Sequence, residues 1–168
     1  LFLFYPPLSA YFITLLNVLL GRNATLALTG SFALAIALAT ISGYLLAREL
    51  YGKAAGVFVA GAYAFSPHLL YNVYARGSIS SVLALGLYPL ALWTVLRLVR
   101  RPGLGALAAV ALATAGLLYT HAGTSLIVFG VLGIIGVAAC VASSSSRRAA
   151  WLAIILTSAG LALGMVLS

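Results

Sequence analysis

Acidic side chains are all but missing from this chain: its 168 residues include no aspartate and a single glutamate, Glu49. That absence excludes a carboxylate pair for general acid–base work, a Ser-His-Asp triad and a carboxylate proton relay within a membrane span. Cysteine is nearly absent too. Cys140 is alone, so the chain forms no internal disulfide. With two histidines, one cysteine and one glutamate, no spaced metal-ligand set can be assembled. No glycine-rich phosphate loop follows a strand-like run. The sequence therefore predicts neither metal nor cofactor and supplies no catalytic residue of its own. Charge of either sign is scarce, at 6% of residues, against about 25% in an average soluble domain. A water-exposed surface cannot be built from so little.

What is there is apolar. Hydrophobic residues make up 64% of the chain and the mean hydropathy is +1.20, which predicts an integral membrane protein whose outer solvent is lipid. The net charge of +8 comes from nine Lys and Arg. In a soluble protein that excess suggests nucleic acid. Here the basic residues punctuate apolar runs, so they read as topology signals, and no nucleic-acid partner is expected. The expected fold is an all-α, polytopic transmembrane helical bundle forming a single domain over 1–168. Seven apolar segments can be counted: 8–20, 24–47, 54–65, 78–96, 104–120, 124–142 and 149–167. The first and third are short. At 1.5 Å per residue, a 13-residue run reaches only about 20 Å of a hydrocarbon core about 30 Å thick.

Local signals mark the breaks. Pro6 and Pro7 can open a helix, Asn23 is a candidate N-cap, Pro67 ends or kinks the third segment, and Pro89 lies inside the fourth. His121-Ala122-Gly123 reads as a tight turn between two spans. Small residues at helix-packing spacing, among them Gly52/Gly56, Ala33/Ala37 and Gly160/Gly164, predict close helix approach. Placing the loop from Arg48 to Lys53 in the cytoplasm and alternating puts seven basic residues inside. Only Arg22 and Arg76 are then outside, in keeping with the positive-inside rule. His121 and the 66–77 stretch then share the outer side. The course of residues 1–21 stays unassigned.

One polar stretch interrupts the apolar sequence: SPHLLYNVYARGSIS, residues 66–80. Irregular, polar backbone at membrane depth is tolerated where it lines a cavity, so this stretch is the candidate site. Its members are Arg76, His68, Tyr71 and Tyr74, with His121 brought to the same side. An arginine there can grip a phosphate through two parallel hydrogen bonds. The same residues also suit plainer roles: an arginine reaching up to head groups, interface aromatics, and a histidine capping a turn.

Several stretches together resemble a known family. YLLARELYGKAAGVFVAGAYAFSPHLLYNVYARGSISSVLALGLYPLALW and LLYTHAGTSLIVF resemble the membrane region called pyruvoyl-tetrahydropterin synthase-related. LFLFYPPLSAYFITLLNVLLG resembles the segment after the first external loop of GT-C glycosyltransferases. The resemblance implies a multi-span bundle in the bacterial inner membrane. Through distant GT-C kinship it also implies sugar transfer from a polyprenyl-phosphate donor at the external face, with membrane lipid and the lipid-linked sugar as partners. It further implies that the catalytic acid lies in a loop before Leu1, so that this chain is a piece of a longer protein. The family's acid five residues after its Arg-Gly arginine is replaced here by Ser81. That departure favours the alternative of a non-catalytic transporter or assembly factor for cell-envelope polymers.

Overall fold

The computed structural model of the protein describes residues 7–101 and 103–143, and every element in them is helical. Helix α1 spans Pro7–Leu19, α2 Ala24–Tyr51, α3 Lys53–Ala64 and α4 Pro67–Leu70. A single π-helical turn over Tyr71–Ala75 follows, then α5, Ile79–Arg100, and α6, Leu104–Ser143. Among the residues whose side chains are described, three stretches are long and apolar enough to cross a membrane: α2, the run Lys53–Ala75, and α5. Helix α1 and residues Leu104–Thr120 are apolar but shorter. The expectation of six to seven segments is not reproduced as a count of spans, and the segment at 149–167 lies outside the described residues.

Helix α5 is the centre of the bundle. It packs on α6 along one side and on α2 along another, while α3 packs on α2, and α1 lies against α2, α5 and α6. Two apolar clusters fill these interfaces. Ala91, Val95 and Leu98 of α5 meet Val110, Ala113 and Leu117 of α6. Ile79, Val82 and Leu83 of α5 meet Ala35 of α2, with Phe12 and Ile13 of α1 and Val73 of the π turn packed around them. The outward faces carry large apolar side chains, including Leu15, Leu34, Ile41, Phe58 and Leu112. Such a surface suits lipid and not water.

The buried face of α2 is small. Ala27, Ser31, Ala35, Ala39, Gly43 and Ala47 are all buried and recur every fourth residue. In a 3.6-residue helix each step of four turns the position by about 40°, so the small stripe winds around α2. Its middle faces α5, where Gly86 approaches so closely that an added Cβ would lie 3.0 Å from the Ala39 amide nitrogen. Its end faces α3, where Gly43 meets Val59 and Tyr63. One stripe thus serves two neighbours. Without a hydrophobic force between helices in lipid, this closeness is what van der Waals packing needs. The Ala33/Ala37 pair expected to pack is exposed instead, because it sits on the opposite face. Gly56 does pack, against Tyr44 and Arg48. Gly160 and Gly164 lie outside the described residues.

Pro89 sits inside α5 without ending it. Its ring nitrogen cannot donate to the Leu85 carbonyl four residues back, and a carbonyl left bare in lipid is costly. Tyr63 of α3 meets that need: its hydroxyl donates to Leu85 O at 2.8 Å. The buried hydroxyls of Ser31, Thr94 and Thr114 are satisfied within their own helices, on carbonyls three or four residues back. Tyr63→Phe is therefore expected to destabilise the fold by about 1–3 kcal/mol, the penalty for orphaning a buried acceptor. Tyr63→Phe combined with Pro89→Ala should recover most of that loss, since an alanine at that position can donate its own N–H. Reversible unfolding in mixed micelles, followed by circular dichroism, measures both.

The chain turns where the sequence breaks. Asn23 caps α2 as expected, its side-chain oxygen accepting from Leu26 N at 3.1 Å. Helix α2 runs past Arg48 and Glu49, where its end was expected, and stops at Gly52. The expected turn at His121-Ala122-Gly123 is a correction: the backbone there is helical and α6 is continuous over 40 residues. At about 60 Å it is twice the hydrocarbon thickness. The reason is that no proline intervenes, and one glycine costs a helix only about 1 kcal/mol. Thr120 also satisfies its hydroxyl on the Gly116 carbonyl, so it demands no turn.

Candidate functional site

The 66–77 stretch closes the end of the bundle where α3 hands over to α5. Ser66 caps α4, its hydroxyl accepting from Leu69 N at 3.2 Å, and Pro67 occupies the first turn, where its missing N–H is no loss. The helix then widens into the π turn. Such turns are rare and occur often at functional sites. Arg76 N donates to Tyr71 O at 3.0 Å and Ser78 N to Asn72 O at 2.9 Å, which folds the loop back onto the turn. Gly77 allows this with a left-handed φ of 58°.

This geometry sorts the side chains. Val73 points into the apolar cluster, and Asn72 is buried, with 1% of its surface exposed. His68, Tyr71, Tyr74 and Arg76 are exposed, forming a rim. Arg76 has no ion-pair partner among the described residues. Asn72 donates through Nδ2 to the His68 carbonyl at 2.8 Å and stands 3.3 Å from His68 Nε2. A carbonyl can only accept, so the amide nitrogen must face it. Asn72 Oδ1 is then left buried with no hydrogen-bond partner among the described residues. Ser81 is occupied: its hydroxyl pairs with that of Ser78 at 2.8 Å, and Ser78 caps α5 by accepting from Ser81 N.

Four of the five expected site residues therefore lie on one rim. His121 belongs to α6, and its side chain lies outside the described residues. The backbone register does bear on its height. Gly116 lies beside Leu87 in the antiparallel α5–α6 pair, so five further residues carry 121 to the level of about residue 82, roughly one turn below Ser78. Asn72 was missed as a site residue. Its place four residues after His68 was the available sign, because that spacing lets two helical side chains meet.

The opposite end is basic. Arg100 of α5 donates to the Glu49 carboxylate at 2.7 Å and to the Glu49 carbonyl at 2.9 Å, tying α2 to α5. Arg48 and Arg97 border the same cleft, and Lys53 opens α3 just past the Gly52 corner. Arg22 and Arg76 stand at the other end. The five-to-two division among the described residues keeps the sense of the charge asymmetry; Arg147 and Arg148 lie outside them. The chain belongs to the 6-pyruvoyl-tetrahydropterin synthase related domain family. The family's model, described as that of a membrane protein, matches residues 2–168. No curated protein and no solved structure matches the chain. Among the described residues no group of His, Cys, Asp and Glu could hold a metal ion.

Proposed function

We propose that this family member is the helical membrane part of a GT-C-like glycosyltransferase of the bacterial inner membrane, and that its rim binds the phosphate of a polyprenyl-phosphate-linked sugar. The observation that supports this reading is Arg76: exposed, without an ion-pair partner among the described residues, and flanked by Tyr71 and Tyr74 at the end of a candidate span. Tyrosines at that level give an isoprenoid chain apolar surface and keep their hydroxyls toward water. The guanidinium meets a phosphate with two parallel N–H donors. His68, on the same rim, can donate to a further phosphate oxygen, and in this reading His121 approaches from α6.

The role assigned to the described residues is binding. The one carboxylate, Glu49, is paired at the far end, and Ser81 is engaged in the cap of α5. In this reading the catalytic base is supplied by another part of the protein. The same observation favours a second reading, a non-catalytic transporter or assembly factor that holds the lipid carrier without cleaving it.

Arg76→Ala is expected to weaken binding of polyprenyl-phosphate sugar about ten- to a hundredfold, the worth of one charge-assisted hydrogen bond. Arg76→Lys should lose part of that by losing the fork. Titration of the purified full-length protein in lipid nanodiscs measures both. Unchanged affinity in a folded Arg76→Ala protein would reduce Arg76 to an interface anchor. Release of free polyprenyl phosphate on adding acceptor separates the enzyme from the carrier-binding reading.

A further inference from the structure

We infer that the basic end carries a binding site for one anionic phospholipid, seated with its phosphate among Arg48, Arg97 and Arg101 and an acyl chain against α6. This site is at the other end of the bundle from the rim and does not depend on how the rim is read.

Two adjoining hollows carry the inference. The first is a cleft of about 470 Å³ between the ends of α2 and α5, bordered by Arg48, Arg97, Arg100, Arg101, Glu49 and Trp93. Four guanidinium groups face one carboxylate there. Glu49 neutralises Arg100 alone, at 2.7 Å, so the cleft keeps an excess of three positive charges. Two of the arginines are held over aromatic faces, which limits their freedom before any ligand arrives: Arg97 lies 5.0 Å from the Trp93 ring centre, and Arg48 lies 5.9 Å from that of Tyr44. Like charges gathered in this way repel each other unless an anion sits among them.

The second hollow, about 420 Å³, continues from the first. It shares Trp93, Arg97 and Arg101 and then runs between α5 and α6 along Gly105, Ala106 and Ala109. Past the arginines, its α6 wall offers only the small surfaces of glycine and alanine. A free phosphate needs only the first hollow. A ligand with a phosphate and a hydrocarbon chain fills both, and the order of the two fits a lipid with its head at the helix ends. Small residues on α6 leave room for the chain where larger ones would close the groove.

Trp93 borders both hollows, so it reports on the occupant. These 168 residues hold two tryptophans, Trp93 and Trp151, and replacing every tryptophan of the protein other than Trp93 by phenylalanine, Trp151→Phe included, leaves Trp93 as sole emitter. The test reconstitutes the purified protein in mixed vesicles of phosphatidylcholine and phosphatidylglycerol, with bromine on the acyl chains of one lipid at a time. Brominated phosphatidylglycerol is expected to quench Trp93 with about a tenfold higher relative binding constant than brominated phosphatidylcholine, in line with two or more arginines acting on one anionic head. In the Arg97→Gln/Arg101→Gln variant the preference should fall to near unity. Equal quenching by the two lipids in the parent protein would overturn the proposal and leave the arginines as topology signals only. Inorganic phosphate that abolishes the preference where chloride at equal ionic strength does not would also overturn it, by showing a site for the free anion. The parent measurement needs no variant, so a misfolded double variant does not shield the proposal.

Discussion

Gly86→Leu is expected to prevent α2 and α5 from docking, so that the protein no longer unfolds as one cooperative unit. Gly86 is buried, and a Cβ built on it would lie 2.9 Å from Leu38 Cγ and 3.0 Å from the Ala39 backbone nitrogen. Leu38 can swing aside, but the Ala39 backbone cannot do so without moving α2. Alanine is intrinsically better than glycine in a helix by about 1 kcal/mol, so Gly86→Ala sets a preference against a clash. The clash should win, because overpacking a filled interface costs about 1–3 kcal/mol for small intrusions, and the nearest immovable atom is backbone. Gly116→Ala is the contrasting case. Its added methyl would lie 3.5 Å from the tip of Leu87, an ordinary contact with a flexible side chain. That variant should be neutral or gain a fraction of a kcal/mol. Unfolding in mixed micelles ranks the three. Gly86→Ala proving as stable as Gly116→Ala would mean that α2 and α5 are not packed through this contact.

The contrast also marks what the sequence could reveal. Membrane class, helical fold, the breaks at Asn23 and Pro67 and the special character of residues 66–77 were all legible, because each depends on local composition or on one capping residue. Family membership was legible from the order of short motifs. The small stripe of α2 was harder to see. A chain this rich in alanine and glycine offers many small-residue pairs, and Ala33/Ala37 fits the spacing rule as well as Ala35/Ala39 does. Only the partners decide which face is inside. The break expected at 121–123 failed for a related reason: Thr, His and Gly are turn-forming in water, but in an apolar helix the threonine can satisfy itself on the preceding turn. The basic cleft was hidden because Arg48 and Arg97 are far apart in sequence, and their charges were fully used by the topology argument. Asn72 reads as one more polar residue until its amide is seen buried beneath the rim.

The second large effect concerns Gly52, the one-residue corner between α2 and α3. Its backbone sits at φ 91° and ψ 179°, a region essentially restricted to glycine. Nothing lies within 4 Å of the place where a Cβ would be, so any penalty for a side chain there is conformational and not steric crowding by neighbours. Gly52→Ala is expected to destabilise the corner by about 1–3 kcal/mol, or to be relieved by a turn of α3 relative to α2. Which happens matters for the rim, because α3 leads directly into α4 and the π turn that carry His68, Tyr71 and Tyr74. The angle of α3 is held at three places: the corner itself, the contact of Gly56 with Tyr44, and the Tyr63 hydroxyl on Leu85 O. If Gly52→Ala is relieved by rotation, it must strain or break the Tyr63 bond. Gly52→Ala and Tyr63→Phe together should then cost less than the sum of the two, with a coupling of about 0.5–3 kcal/mol. Strict additivity would mean that α3 stays in place and the strain stays local. Gly77→Asn is the control for backbone sign alone: its φ of 58° is one that asparagine adopts readily, so this exposed position should tolerate the change within a few tenths of a kcal/mol while Gly52→Asn does not.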